Sequence, residues 1–493
     1  MRFNIIVAYT FKNNGIGIKG TLPWRLKEDL AYFKKITTQI TKDDNIHYIN
    51  SVIMGSTTWN SIPECNKPLK DRFNIIITKT PKTSNNKYVI YTTWKNLLST
   101  LIQFNNNKYQ INNKLMKLET NFIIGGESIY NQALQNLLIE KIYTTEIYKT
   151  IECDKSFLNI DQLTGNNSFN IYECSKFNYN NNTHYRFITY INKSCKNKKW
   201  ENKEEALYLK NMKGILENGI ERTDRTKVGT ISKMGILMDY DLKDTFPIST
   251  TKKIFIRGVF EELMLYLRGQ TDNQILRDKK INIWNGNTSR EFLDNKGLNH
   301  YCEGDMGETY GFNFRHFGGE YKGCKEKYPS SLGFDQLKYV INLIKNDPTS
   351  RRMIINLWNP TTLHKAALPS CLCMYQFYVD TQHNYLNLQI YIRSSDYFLA
   401  NNWNTCTGAL LVHLICSLSY INLTPGSLVV VCCDAHIYKT HVTQVRENLK
   451  REPYPYPKIL INNRTDKISD FQWEDITLLG YKSHSSLSAP MAV

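Results

Sequence analysis

Two groups of residues in this chain have the types and spacing to do chemistry. In the second half, Cys371 stands in the run Ala367-Leu368-Pro369-Ser370-Cys371. A lone cysteine is most simply a buried structural thiol, but basic and hydroxyl residues recur at the ends of nearby elements. Arg393-Ser394 follows a strand read over residues 385–392, and Arg351-Arg352 precedes another strand. Asp434-Ala435-His436-Ile437-Tyr438 ends a third, and Asp224-Arg225-Thr226 lies upstream. A thiol near neutral pH is only partly ionised, and neighbouring guanidinium groups favour the thiolate, which is the nucleophile.

In the first half, Leu22-Pro23-Trp24 leads into Arg25-Leu26-Lys27-Glu28-Asp29-Leu30 and then Ala31-Tyr32-Phe33. On a helix starting near Leu26, Asp29 and Phe33 are four apart and share a face. A half-buried carboxylate beside an aromatic wall can take two parallel hydrogen bonds from an amidine-like edge. The run Val52-Ile53-Met54-Gly55-Ser56-Thr57-Thr58-Trp59 reads as a strand ending at Gly55 and a helix opening on hydroxyls. In Ile123-Ile124-Gly125-Gly126-Glu127-Ser128-Ile129-Tyr130, paired glycines precede another helix start. Both are places where backbone amides can approach a phosphate. Arg72, in Pro68-Leu69-Lys70-Asp71-Arg72, could clamp a carboxylate bidentately. Each of these alone has a plainer reading, as a turn or a solvated charge.

The elements that would position these residues divide the chain. Over residues 1–192, short β-rich runs (5–8, 51–54, 75–78, 88–91, 122–124, 141–148) alternate with helical patterns at 26–35 and 128–138. That alternation implies a largely parallel sheet, with 184–191 as a closing strand. Residues 193–203 are polar and lysine-rich, a junction too short for wide separation of the two parts. From Glu204 a long amphipathic helix opens a second region, with further helices at 258–268, 334–346 and 407–420 mixed with strands. Asn/Lys runs such as Asn105-Asn106-Asn107-Lys108 read as solvated loops.

A chain of 493 residues exceeds one hydrophobic core, and 41% hydrophobic with 12% aromatic residues is enough to fold. No apolar run is long enough to span a bilayer, and the basic-then-apolar start is interrupted too early for a signal peptide. A cytoplasmic protein is expected, with most of its 12 cysteines reduced and buried. No Cys-x-x-Cys with histidine partners appears, so no metal is expected. The net charge of +17 fits a soluble basic surface, a nucleic-acid partner or small polyanionic substrates. Helix-turn-helix, zinc-finger and aromatic-interleaved basic patterns are lacking, so no specific nucleic acid and no membrane partner is expected.

In order and spacing, the signals of residues 1–192 resemble dihydrofolate reductase, most specifically in Ser61-Ile62-Pro63-Glu64 with Lys67-Pro68-Leu69-Lys70 and Arg72. The resemblance implies an α/β domain with a mostly parallel sheet that binds dihydrofolate and NADPH. Asp29 would bind the pterin edge and assist proton delivery to N5, with Thr145 hydrogen-bonded near it. Ile6, Val7, Ala8, Phe33 and Ile62 would line the pterin and benzoyl pocket, and Arg72 would hold the α-carboxylate. Ala8, Gly55, Thr57, Thr58, Gly125, Gly126 and Tyr130 would hold NADPH. Thr78 and Lys79 would meet its 2′-phosphate, while Ile16, in Gly15-Ile16-Gly17, would close over the nicotinamide.

Residues 204–493, with the tail Met491-Ala492-Val493, resemble thymidylate synthase. The resemblance implies an α+β domain that methylates dUMP reductively, with 5,10-methylenetetrahydrofolate as cosubstrate and Cys371 as the thiolate adding to C6. Arg225, Arg393 and Ser394 would bind the 5′-phosphate. Arg351 and Arg352 would reach across from a partner subunit, making the enzyme a homodimer. Asn404 would read the uracil edge, and His436 and Tyr438 the sugar hydroxyl. Glu262 would organise a proton-relay water network, and Tyr310 would aid proton removal from C5. Trp284, Asp396 and Val493 would contact the folate, with Asp396 also beside dUMP.

This sequence departs from the family's pattern at Ser370, Leu372, Lys227, Ile392, Cys433, Asn285 and the stretch Ala400-Asn401-Asn402-Trp403-Asn404. Two other readings stay open on sequence: a reductase fused to an impaired or scaffold-only synthase domain, and an RNA-binding protein using the same positive field.

Overall fold

Residues 2–10 are apolar on almost every position, and only Arg2 at the start is exposed. A strand with both faces apolar must lie inside a sheet covered on both sides. In the computed structural model of the chain this strand, Arg2–Thr10, is central. The structure describes residues 2–42, 46–106, 110–111, 114–165, 168–195, 200–223 and 228–491. The chain divides into two compact units, Met1–Glu201 and Asn202–Val493.

In the first unit the sheet runs Phe169–Cys174, Thr183–Asn192, Ile139–Ile147, Arg2–Thr10, Lys114–Gly125, Ile46–Gly55, Arg72–Ile77, Val89–Thr92. The pairs from Ile139–Ile147 through to Val89–Thr92 are parallel, and the Thr183–Asn192 pairings are antiparallel. This is the mostly parallel α/β sheet expected from the alternating pattern. Parallel strands point their carboxyl ends the same way, and ligands of open α/β sheets bind beyond those ends. Here the ends carry Ala8, Gly55, Ile77 and Gly125.

Alternation along Ile139–Ile147 sends neighbours to opposite faces, so Thr145 and Glu146 do different work. Glu146 lies opposite Arg186 in the antiparallel register. Its carboxylate accepts from Tyr9 at 2.7 Å, Tyr148 at 2.5 Å, Arg186 Nε at 3.1 Å and Tyr190 at 3.4 Å. Burial would raise this carboxyl's pKa, but Arg186 and the hydroxyl donors outweigh it and the net shift is downward. The network ties three strands together directly behind Thr145.

The second unit opens with helix Lys203–Asn218, capped by Asn202, whose side chain accepts from Glu205 N–H at 3.2 Å. Its sheet runs Ile220–Arg222, Thr230–Asp241, Thr424–Tyr438, Tyr385–Asp396, Leu372–Asp380, Ile354–Asn356. Only Tyr385–Asp396 with Thr424–Tyr438 is parallel, so the unit is α+β. From Gly258 to Leu267, helix Ile256–Leu267 is buried on all sides, Glu261 and Glu262 included. A helix without a polar face belongs to the centre of a core.

Three local expectations need correction. The helix expected at 407–420 is Ala400–Cys416, so the Asn401-Asn402-Trp403-Asn404 run forms its first turns. Asparagine competes for its own backbone and reads as loop, but packing of this helix in the core overrides that tendency. The strand expected at 385–392 continues to Asp396, which places Arg393 and Ser394 within it. Asn105 and Asn106 close helix Leu97–Asn106 rather than lying in a loop.

Arg186→Met leaves the Glu146 charge buried without its cation and is expected to destabilise the first unit by roughly 3–5 kcal/mol. Urea unfolding followed by the fluorescence of that unit reads the loss. Because the folded pKa of Glu146 is depressed, its stabilisation is full above the unfolded carboxyl's pKa. It fades as pH falls through the folded value, a fade the variant should lack.

Candidate active sites

Asp29 and Thr37 are the two buried residues of helix Lys27–Thr38. Thr145 Oγ1 donates to Asp29 Oδ1 at 2.6 Å. Burial pushes the Asp29 carboxyl up, and the Thr145 bond opposes this in part, so its affinity for a proton exceeds that of a surface aspartate. Two helical turns on, Thr37 Oγ1 accepts from Arg72 Nη1 at 2.9 Å, and Arg72 Nε donates to Lys70 O at 2.9 Å. Eight residues of helix separate the carboxylate from the guanidinium's support by about 12 Å. Between them lies Phe33, with Arg72 5.5 Å from its ring centroid, in an apolar cluster with Ile6 and Ile62. The arrangement fits a long ligand with a hydrogen-bonding edge at one end, an aromatic middle and a carboxylate at the other.

These residues line a cleft of about 1430 Å³ that also includes Val7, Ala8, Ile16, Thr78 and Lys79. Its other wall is made of two helix starts, Ser56–Ser61 after Gly55 and Glu127–Asn136 after Gly126. The two starts pack closely because their glycines lack side chains. A Cβ on Gly55 would sit 3.2 Å from Ile129 Cγ1, and one on Gly126 3.3 Å from Thr58 Oγ1. Gly125 has φ +118°, a conformation that L side chains rarely adopt. Tyr130, one turn into the second helix, donates from its hydroxyl to Ile6 O at 2.9 Å and fixes that helix to the central strand. Thr57 and Thr58 face the same cleft, which thus has backbone amides and the Lys79 cation for a phosphorylated ligand.

In the second unit, Glu262 is the centre of a buried network. Its Oε1 accepts from Trp284 Nε1 at 2.7 Å and Tyr266 Oη at 2.8 Å, and its Oε2 from Trp403 Nε1 at 2.6 Å. Burial raises the Glu262 pKa, and the three donors offset it only partly. Tyr266 stacks on Tyr310 with centroids 4.9 Å apart, and Trp284 meets Tyr310 edge-on at 6.3 Å. Tyr310 Oη in turn accepts from the backbone N–H of Cys371 at 2.7 Å. Arg393 Nη2 lies 3.8 Å from Cys371 Sγ, held by bonds to Ser370 O at 2.9 Å and Pro369 O at 3.0 Å. Glu262, Tyr310, Cys371 and Arg393, drawn from four distant stretches of chain, form one continuous chain of contacts. A cation beside a thiol favours its ionisation.

His436 and Tyr438 meet edge-on at 5.1 Å, and Ser394 and Asp396 pair with Asp434 and His436 across the sheet. Asp396 Oδ1 accepts from Phe398 and Leu399 N–H at 3.0 Å each, which fixes its orientation. Asn404 follows Trp403 in the first turns of helix Ala400–Cys416 and is half-buried. Arg351 and Arg352 are exposed. Arg225 and Val493 lie outside the described residues. Three participants escaped the sequence reading: Tyr266, Trp403 and His441. Tyr266 was detectable as Glu262's neighbour at helical spacing. His441 is buried with Nδ1 3.7 Å from Asp396 and Nε2 2.8 Å from Pro490 O, near the chain's end. No local signal marks it.

The sequence pattern of the dihydrofolate reductase family matches residues 2–192, and that of the thymidylate synthase family matches residues 206–493. The chain is similar to the bifunctional dihydrofolate reductase-thymidylate synthase of Paramecium tetraurelia, 38% identical over 493 residues, covering 100% of this chain and 99% of that one. The protein of the same name from Glycine max is 37% identical over 527 residues, 100% of this chain and 95% of that one. The one from Leishmania amazonensis is 34% identical over 506 residues, again 100% and 95%.

Trp403→Phe removes one donor from the ionised form of Glu262 while keeping an aromatic ring in place. The Glu262 pKa is expected to rise further. Infrared difference spectra across a pH series should show the protonated-carboxyl band, assigned by its absence in Glu262→Gln, persisting to higher pH in the variant. A band that titrates as in the wild type would show that the Trp403 bond is not made in solution.

Proposed function

This chain belongs to the fused dihydrofolate reductase and thymidylate synthase family, and we propose that the two side-chain networks carry its two reactions. The protein reduces dihydrofolate to tetrahydrofolate with NADPH, and converts dUMP to dTMP with 5,10-methylenetetrahydrofolate. Among the described residues of the second unit, none favours a scaffold-only role.

In the first unit, Asp29 receives the pterin edge, and its raised proton affinity suits it to supply the proton that accompanies reduction at N5. Thr145 keeps the carboxylate oriented. Phe33, Ile6, Val7, Ala8 and Ile62 enclose the ring and benzoyl group, and Arg72, its plane already fixed, clamps the α-carboxylate. The Gly55 and Gly126 helix starts, with Thr57, Thr58 and Tyr130, form the seat for NADPH. Thr78 and the exposed Lys79 suit its 2′-phosphate, and Ile16 covers the nicotinamide. NADPH, when bound, supplies the hydride.

In the second unit, Cys371 adds to C6 of dUMP as the thiolate, favoured by Arg393. Arg393, Ser394 and Arg225 hold the 5′-phosphate, Asn404 the uracil edge, and His436 and Tyr438 the sugar. Tyr310, in contact with Cys371, helps remove the C5 proton, and Glu262 holds and passes protons. Trp284, Asp396 and Val493 are assigned to contacts with the folate. Exposed Arg351 and Arg352 suit a role in the partner's phosphate site, which makes a homodimer the working unit. A reducing compartment such as the cytoplasm suits its free thiols.

The observation that carries this reading is the convergence of Arg393 and Tyr310 on Cys371. Cys371→Ala should abolish tritium release from 5-tritiated dUMP and leave NADPH-dependent dihydrofolate reduction intact. Asp29→Asn should do the reverse, slowing reduction by about 10²–10⁴-fold. Loss of both activities in either variant, or tritium release that survives Cys371→Ala, would refute the assignment. Mixing Cys371→Ala with Arg352→Ala chains and allowing exchange should restore synthase activity, because one site of the mixed dimer keeps both residues. No recovery from a verified mixed dimer would remove Arg352 from the shared site.

A further inference from the structure

The second unit holds a side-chain cluster that neither reaction uses. Cys302, Asp305 and Cys324 bring two sulfurs and a carboxylate oxygen together, all within 4.8 Å of one another. The sulfurs are 3.5 Å apart. Two of the ligand atoms come from one turn, Cys302-Glu303-Gly304-Asp305, closed by Asp305 N–H donating to Cys302 O at 3.1 Å. Gly304, with φ +92°, gives the turn the backbone geometry that a side chain would resist. The third comes from a facing turn, where Cys324 N–H donates to Asp305 Oδ2 at 3.0 Å.

Asp305 is 1% exposed and rigidly held. Its Oδ1 accepts from Gly307 N–H at 2.7 Å and Tyr321 Oη at 2.5 Å. Oδ2, with the Cys324 N–H, retains acceptor capacity toward the sulfurs. The adjacent cation, Lys325, is engaged by Asp272 at 2.5 Å. We propose that Cys302, Asp305 and Cys324 form a binding site for a soft divalent cation of the zinc(II) class, with water completing its coordination. Two thiolates and one carboxylate are ligands that zinc accepts, and three protein ligands leave one position for water. A disulfide would use the two sulfurs but not the carboxylate oxygen that lies within 4.8 Å of them. Through Asp305 and Gly307 the ion would brace the turn that leads into helix Tyr310–Arg315, and so the position of Tyr310.

The full-length chain, reduced and stripped of metal, is titrated with zinc(II) against a chromophoric chelator, and separately with cobalt(II). The expected result is one tight equivalent per chain, thiolate-to-cobalt charge-transfer absorption, and a zinc-dependent rise in the Tm of the second unit. Cys302→Ser and Cys324→Ser should each lose the equivalent and the absorption, and Asp305→Asn should bind about tenfold more weakly or worse. Cys302 is exposed, so its replacement spares the core, and a metal-free Tm equal to the wild type's checks this. Absence of stoichiometric uptake by the wild type overturns the proposal. So does uptake that survives both cysteine variants, which would place the metal on other thiols. A 302–324 disulfide formed with oxidised glutathione, without metal uptake, would replace it with a dithiol pair.

Discussion

A carboxylate taken out of water must be given a cation, a set of donors, or a proton, and both units of this enzyme are organised around that constraint. Asp29 has burial and a single hydroxyl donor, so its proton affinity is raised. Glu262 has three neutral donors and no cation, and remains raised. Glu146 has Arg186 and hydroxyl donors, and its pKa falls below the ordinary value. Three buried acids thus take two different roles. The one with a guanidinium partner holds a proton less readily than an ordinary carboxyl, and the two without hold theirs more readily.

The structural anion supports a functional one. Glu146 and Thr145 are neighbours on one strand, and the pleat sends them to opposite faces. Fixing the register of Ile139–Ile147 against Thr183–Asn192 through Glu146 and Arg186 therefore fixes where Thr145 stands relative to Asp29. In the second unit, aromatic residues fill the equivalent role. Tyr266 and Trp284 both donate to Glu262 and pack on Tyr310, so Glu262 and the Tyr310 ring beside Cys371 belong to one packed cluster.

The departures from the synthase pattern concentrate at the start of helix Ala400–Cys416 and are partly compensated there. Trp403 uses its indole N–H on Glu262. Asn401 Nδ2 reaches Cys432 Sγ at 3.3 Å, while the side-chain oxygens of Asn401 and Asn402 are buried without a hydrogen-bond partner. Such orphaned acceptors cost stability, on the order of 1–3 kcal/mol each. The helix retains its place because it buries Ala409 to Val412, Leu414 and Ile415 in the core. Leu372, after Cys371, is likewise 2% exposed, an apolar residue filling an apolar position.

The sequence by itself determined the two-part division, the parallel character of the first sheet, and the two families that its halves resemble. These depend on local periodicity, on glycines at helix starts and on motifs a few residues long. Asp29 with Phe33, or Gly125 with Gly126, are neighbours along the chain, so their joint use is visible there. Tertiary structure alone decided which groups share a carboxylate or a sulfur. Trp403 lies 141 residues from Glu262, Cys371 lies 61 from Tyr310, and Asp305 lies 19 from Cys324. The helix expected at 407–420 starts earlier, at Ala400, for the same reason, since the conformation of its Asn-rich first turns follows from burial rather than propensity. Side-chain pairing across such distances depends on how strands register and helices pack, and no local pattern in the chain encodes the direction in which a buried side chain will find its partner.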